Sequence, residues 1–250
     1  MISIDRTRTT APPKLELDGR NDLTRIEQLA NAGILKSTDF KKHIYSSDAV
    51  RDALWRMQYF KCCFCEHDYE KTNSTVEHFR PKTSSRNQAG QTESGYWWLG
   101  YEFENLYFCC RNCNSPKSNW FPLASAPRYQ YPQLPWREKS EDCLILDPGS
   151  ISMRPEDHIC FVRHPSHRRW RIAALDDYGV WTIRAAQLDR DELNELRDAY
   201  HDRVLLQIVQ ATKQDAGVCD LARKIAQQYC APQSPFSLLA QAVYKEAGIL

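Results

Sequence analysis

Cys62 and Cys65, then Cys110 and Cys113, form two Cys-x2-Cys pairs, with Glu77-His78 between them and Asn114 directly after the last Cys. Four thiolates suit one Zn²⁺, whose filled d shell takes tetrahedral sulfur coordination at no geometric cost. Cys63 and Cys109 offer other pairings, Cys63/Cys65 and Cys109/Cys113. Only Cys62/Cys65 and Cys110/Cys113 give the two-residue spacing twice, which makes the paired knuckles a specific signal. Four Cys ligands leave no open position for water, so this zinc is expected to be structural.

The residues between and after the knuckles are expected to carry the chemistry. His78 is the candidate general base: a neutral imidazole can take a proton from water attacking a phosphodiester. Glu77 offers a hard carboxylate oxygen to Mg²⁺ or Mn²⁺, although a regular strand would point it away from His78. Asn114 offers a neutral oxygen to the same cation, or else an ordinary helix N-cap. Asn105 is expected to hold the neighbouring loop or the His78 ring. Arg80, Lys82 and Lys117 are candidate phosphate contacts; each is also a common kind of surface charge.

These residues need short elements to position them. Thr75–Phe79 reads as a strand stopped by Pro81, and residues 82–95 as a loop. Asn105–Cys109 reads as a second strand running into the second knuckle, with a short helix from Asn114 to Trp120. Upstream, Asn21 or Asp22 is expected to cap a helix carrying Leu23, Ile26 and Leu29 and ended by Gly33. A second helix, with Val50, Leu54 and Met57, starts near Ser47 and delivers the chain to the first knuckle. Downstream, Pro122, Pro127, Pro132 and Pro135 mark an irregular stretch. Strands are expected at 159–162, 170–172 and 180–183, with a turn at Asp177-Tyr178-Gly179. Asp189 and Glu192 suggest a capping box for a long helix with Leu193, Leu196, Tyr200, Val204 and Ile208 on one face. Two more helices pass through Leu221/Ile225 and Leu239/Val243.

The 250-residue chain is 26% charged with a formal net charge of +1, ordinary for a soluble globular protein. No apolar run approaches the ~20 residues of a membrane span. The first residues lack the basic-then-apolar pattern of a signal peptide. A cytoplasmic location is expected, where ten cysteines favour metal over disulfides. Cys63, Cys109, Cys143, Cys160, Cys219 and Cys230 are then mostly small buried hydrophobes. Basic residues cluster locally, at Arg80/Lys82/Arg86 and at Arg163, Arg168, Arg169 and Arg171. Such clusters are compatible with phosphate binding and equally with solvated faces. No Gly-rich phosphate loop is present, which argues against ATP binding by this chain.

Taken together, several blocks resemble the HNH endonucleases of bacterial anti-phage operons, in particular the PtuB-like subunit of Septu systems and its retron-associated relatives. The blocks are Cys62-Cys63-Phe64-Cys65-Glu66, Val76-Glu77-His78-Phe79-Arg80-Pro81-Lys82, Gly95-Tyr96-Trp97-Trp98-Leu99, Glu104-Asn105-Leu106, Cys110-Arg111-Asn112-Cys113-Asn114 with Lys117, and Phe121-Pro122-Leu123. The match is sharp from 62 to 123 and extends to Leu144-Ile145-Leu146-Asp147-Pro148 and the stretch through Arg197. The resemblance implies His78, Asn105 and Asn114 as the catalytic set, an H-N-N form of the motif. It implies an α+β protein with a ββα-metal nuclease core and a structural four-cysteine zinc site, wrapped by N- and C-terminal helices and a small C-terminal β segment. The corresponding divisions are an N-terminal helical segment (1–60), the nuclease core (61–125) and a partner-docking region (126–250). It further implies DNA cleavage in defence alongside a PtuA-like ATPase of the SMC/ABC type. On the residues alone, two other readings stay open: a stand-alone restriction-type HNH nuclease, and a non-catalytic zinc module that binds nucleic acid or protein.

Overall fold

The computed structural model describes residues 1–125, 128–134, 141–166, 169–214 and 216–250. Pro127, Pro135 and Arg168, singled out above, lie outside the described residues.

The N-terminal helix begins earlier than the caps suggest. A π-helical turn at Leu15–Gly19 runs straight into α1, Arg20–Asn31. Asn21 and Asp22 therefore sit inside a running helix and cap nothing. Asp22 instead turns inward: Lys41 Nζ lies 2.7 Å away, Arg25 Nη2 2.9 Å, and the Tyr101 hydroxyl donates at 2.7 Å. The helix ends as expected, with Gly33 taking a left-handed φ of 69° just past it. A short α2, Lys42–Tyr45, leads to α3, Asp48–Met57, whose Val50, Leu54 and Met57 are buried at helical spacing.

The chain then enters the first knuckle as a tight return. Cys62 N–H donates to His67 O at 3.0 Å and Glu66 N–H to Cys62 O at 3.2 Å, with Glu66 at a left-handed φ of 62°. Strand β1, Ser74–His78, follows. The polar stretch after it is not a plain loop: β2, Ser84–Arg86, pairs antiparallel with β3, Thr92–Ser94. The turn between them is closed by Asn87 Oδ1, which accepts from Ala89 N and Gln91 N, and by Gly90 at φ 78°. Strand β4, Leu106–Cys110, pairs antiparallel with β1, placing Thr75 opposite Cys109, Glu77 opposite Tyr107 and His78 opposite Leu106.

Helix α4, Arg111–Lys117, leaves β4 with no intervening loop, because Cys110 is both the last strand residue and the extended N-cap. The sequence reading started this helix three residues late. Asn114 lies inside it, so the N-cap role does not apply. Pro116 removes a backbone donor, and Ser118 at φ 46° ends the helix.

Strands β5, Ile159–Arg163, and β6, Trp170–Ala174, form a second hairpin. The strand expected at 180–183 is instead helix α5, Asp177–Ala186. The β-branched run suggested a strand, but Asp176 accepts from Gly179 N and caps a helix, and burial recurs at Gly179, Thr182, Ala185 and Ala186. No capping box forms at Asp189/Glu192: Arg190 is the N-cap of α6, Asp191–Tyr200, with no side-chain capping bond. The helix continues through a π turn at His201–Leu205 into α7, Leu206–Ala211. Helices α8, Ala216–Cys230, and α9, Ser237–Glu246, pack on each other.

The architecture is thus mixed: helices around three two-stranded antiparallel sheets among the described residues. Two buried clusters flank the β1–β4 hairpin. One joins the knuckle cysteines, Phe79, Tyr107, β5, β6 and α9. The other joins α1, α2 and α3 to Leu106 and Phe108.

Candidate functional site

Each knuckle is held by a different device, and the two meet at the β4–α4 junction. The Sγ atoms of Cys62, Cys65, Cys110 and Cys113 all lie within 4.8 Å of one another, and all four residues are buried. A tetrahedral zinc with bonds of about 2.3 Å needs sulfurs about 3.8 Å apart; Cys65 and Cys110 stand at 3.9 Å. Donors point at the sulfurs: Cys110 N–H lies 3.4 Å from Cys62 Sγ, and Arg190 Nη1 lies 3.5 Å from Cys113 Sγ. Buried N–H groups aimed at sulfur favour thiolate over thiol. The donor set, spacing and charge fit a metal such as zinc. Next to the first knuckle, the buried Glu66 carboxylate accepts from Ser237 Oγ at 2.7 Å, anchoring the start of α9 to the cluster.

Strand alternation decides how the remaining candidates are arranged. Thr75 and Glu77 share the face of β1 that meets α4. Asn114 and Lys117, one helical turn apart, share the face of α4 that meets β1. Asn114 Nδ2 donates to Thr75 Oγ1 at 2.6 Å, which leaves its Oδ1 as the acceptor side of the amide. Lys117 Nζ stands 2.5 Å from Glu77 Oε1 and donates to Phe79 O at 3.1 Å. Both residues are buried, and the Lys117 ammonium is the partner of Glu77 Oε1. Burial pushes the Glu77 carboxyl upward, against the pull of Lys117. The Glu77 carboxylate and the Asn114 amide are both oxygen donors, and Lys117 already holds the first.

His78 lies on the opposite face, edge-on to Tyr45 with ring centroids 4.8 Å apart. Its Nε2 is 2.9 Å from Gly100 O. A carbonyl only accepts, so Nε2 carries the proton and Nδ1 holds the lone pair. Burial, followed by the charge of Lys82, holds the imidazole well below its usual pKa, so it is neutral at pH 7. Gly100 is needed at that spot: a Cβ there would come within 2.2 Å of Phe40 Cε1. Lys82 Nζ lies over the Tyr45 ring at 5.2 Å and the Phe40 ring at 5.6 Å.

Asn105 ties the strand end together. Its Oδ1 accepts from Arg80 N at 2.8 Å, and its Nδ2 donates to Arg80 O and Leu99 O. Its bonds thus go to the segment after His78 and to the neighbour of Gly100. The structure therefore groups Glu77 with Lys117, Asn114 with Thr75, and His78 with Lys82 and Tyr45. No hydrogen bond joins His78 to Asn114 among the described residues.

Of the candidate phosphate contacts, Lys82 is half-buried and the other two face inward. Arg80 Nε pairs with the buried Glu141 at 2.9 Å, and Glu141 also accepts from Tyr96 Oη at 2.7 Å. Lys117 is fully buried against Glu77. Sequence reasoning missed Glu141, Tyr45, Gly100 and Arg190. Glu141 and Arg190 come from distant chain segments, and Gly100 acts through its carbonyl, which has no residue signature.

No family model matches the chain, and no solved structure matches it. Over 165 residues the chain is 30% identical to the Septu protein PtuB of Bacillus mycoides (strain KBAB4), covering 64% of this chain and 55% of that protein. The chain thus spans about half the length of the curated relative that it matches. No helix among the described residues is long and apolar enough to cross a membrane. The chain that carries these paired knuckles and the Glu77–His78 strand is thus similar, over that stretch, to a Septu PtuB protein.

Proposed function

We propose that the chain is a metal-dependent HNH endonuclease that cleaves phosphodiester bonds of DNA in anti-phage defence, acting with a PtuA-like ATPase of the SMC/ABC type. The observation that carries this reading is the run of β1, its partner β4 and the directly following α4, stapled at their junction by four thiols, with Glu77-His78 closing β1. The likeness to a Septu PtuB protein supports the defence role and the need for a partner.

His78 is the general base. Burial keeps its ring neutral, and Gly100 O fixes the Nε2–H tautomer, so Nδ1 takes a proton from water as its oxygen attacks phosphorus. Asn105 is a positioning residue, locking Arg80 and Leu99 and with them the Gly100 carbonyl. Glu77 and Asn114 would hold Mg²⁺ or Mn²⁺, which when bound supplies positive charge to the phosphate oxygens as negative charge grows on them. Lys117 keeps positive charge on the Glu77 side of β1, and Lys82 meets the phosphate beside His78. The region from 126 to 250, with α6 to α9, is the docking surface for the ATPase.

Supercoiled plasmid and a matched RNA, incubated with the purified chain and Mg²⁺ or Mn²⁺, alone and with a PtuA-like ATPase, test this reading. Divalent-dependent nicking or linearisation of the plasmid is expected. Cleavage of RNA alone would move the substrate, and no cleavage in any lane by zinc-loaded protein would leave a non-catalytic zinc module.

A further inference from the structure

Two core cysteines outside the four-thiol set lie directly against it. Cys63 and Cys109 are 3% and 0% exposed, and their Sγ atoms lie within 4.8 Å of each other and of Cys62 Sγ. Cys62 belongs to both groups. Its Sγ is 3.8 Å from Cys109 Sγ and accepts from Cys110 N–H at 3.4 Å. Cys109 and Cys110 point to opposite faces of β4; Cys62 sits where it can reach both.

We propose that Cys62, Cys63 and Cys109 form a second thiolate site that takes a thiophilic d¹⁰ cation, Zn²⁺ or Cu⁺, with Cys62 bridging to the four-thiol site. The 3.8 Å between Cys62 and Cys109 is close to the sulfur–sulfur edge that metal–sulfur bonds of about 2.3 Å set, ~3.8 Å in a tetrahedral site and ~4.0 Å in a trigonal one. Soft thiolates select Cu⁺ and Zn²⁺ over harder ions. A d¹⁰ ion has no d-electron preference against a three-sulfur set. Each thiol releases its proton to solvent on binding. Six thiolates facing two Zn²⁺ leave a net charge of −2. Arg190, with Nη1 3.5 Å from Cys113 Sγ, offsets part of it. The competing description, small apolar fillers, accounts for the burial of Cys63 and Cys109 but not for three sulfurs converging.

The test titrates the zinc-loaded protein under anaerobic, reducing conditions with further Zn²⁺ in one arm and with Cu⁺ in the other. After desalting, both metals are counted per chain by plasma mass spectrometry, so displacement of the first zinc is visible. Two d¹⁰ ions per chain are expected in at least one arm, falling to one in the double variant Cys63→Ser/Cys109→Ser, which keeps Cys62. A wild-type total of one in both arms overturns the proposal, as does a second equivalent that survives in the double variant. X-ray absorption on the doubly loaded wild type gives a readout that needs no variant: a metal–metal scattering path is expected, and its absence overturns the bridge. These outcomes are independent of nuclease activity.

Discussion

The thiol cluster and the Glu77–His78 region are built from the same two strands and one helix, yet they are organised in opposite ways. The cluster gathers identical donors, all buried and all converging on one point, with N–H groups aimed at the sulfurs. The region around β1 spreads unlike groups over two faces of a strand: Glu77 towards α4, His78 towards Tyr45. A structural site can be closed and symmetric because nothing must enter it. A hydrolytic site must keep a base, a charged oxygen and an approach for phosphate apart until substrate joins them. On the proposed function, the first region governs whether the chain folds, and the second what it does once folded.

The largest expected effect separates the two most sharply. A structural zinc contributes about 10–16 kcal/mol of apparent binding energy, as much as the whole ~5–15 kcal/mol stability of a domain. Cys110→Ser, or stripping with a strong chelator, should abolish cooperative thermal unfolding and lower solubility, as read by calorimetry and circular dichroism. By contrast, His78→Ala should keep a cooperative melting transition, lowered only by the loss of its packing and its bond to Gly100 O, and reduce DNA cleavage by roughly 10²–10⁴-fold, read as plasmid nicking rates.

Next comes the buried ion pair that links the two regions through α4. Lys117→Met leaves the Glu77 carboxylate buried and unpaired, a change that costs about 3–5 kcal/mol. Chemical denaturation should show that loss, and much of it should return in Glu77→Gln/Lys117→Met, where no lone charge remains. If the single and double variants are equally destabilised, the pair is not what holds α4 to β1.

The smallest effect lies far from both sites and serves as a control. Asp22, held by Arg25, Lys41 and Tyr101, has its pKa pulled far below the ordinary value, although burial acts in the opposite direction. A depressed carboxylate pKa adds stability that is fully present above the unfolded value of about 3.9 and fades as pH falls below it. Asp22→Asn should cost about 1.5–3 kcal/mol at neutral pH, with the gap to wild type narrowing in melts taken below pH 4. A gap that is constant with pH would deny the carboxylate its charged role.

The two regions also differed in how much of them could be read from sequence. The knuckles were legible because Cys-x2-Cys is a local pattern whose spacing already encodes the geometry. Strands β1 and β4 were legible to within a residue, because β-branched and aromatic residues lie between clear breakers. Asn114 was misplaced as an N-cap because Cys110 ends the strand and caps the helix at once, leaving no loop to signal the change. The run at 180–183 read as a strand because its β-branched residues outweighed Asp176, whose capping bond to Gly179 decides for helix. Around His78, the decisive contacts are a backbone carbonyl from Gly100 and a ring from Tyr45, and neither leaves a mark near His78 in the sequence. The inward turn of Arg80 was hidden because its partner Glu141 is distant in the chain.

The most direct test of the proposed function measures zinc content and divalent-dependent cleavage of supercoiled plasmid in the same preparations of wild type and His78→Ala, across a Mg²⁺ and a Mn²⁺ titration, with and without a PtuA-like ATPase. Equal zinc in both proteins is expected, with cleavage by wild type that rises with the divalent ion and cleavage by His78→Ala at least roughly 10²-fold slower. Equal cleavage by the two proteins, or none by a zinc-loaded wild type, would contradict the proposed function.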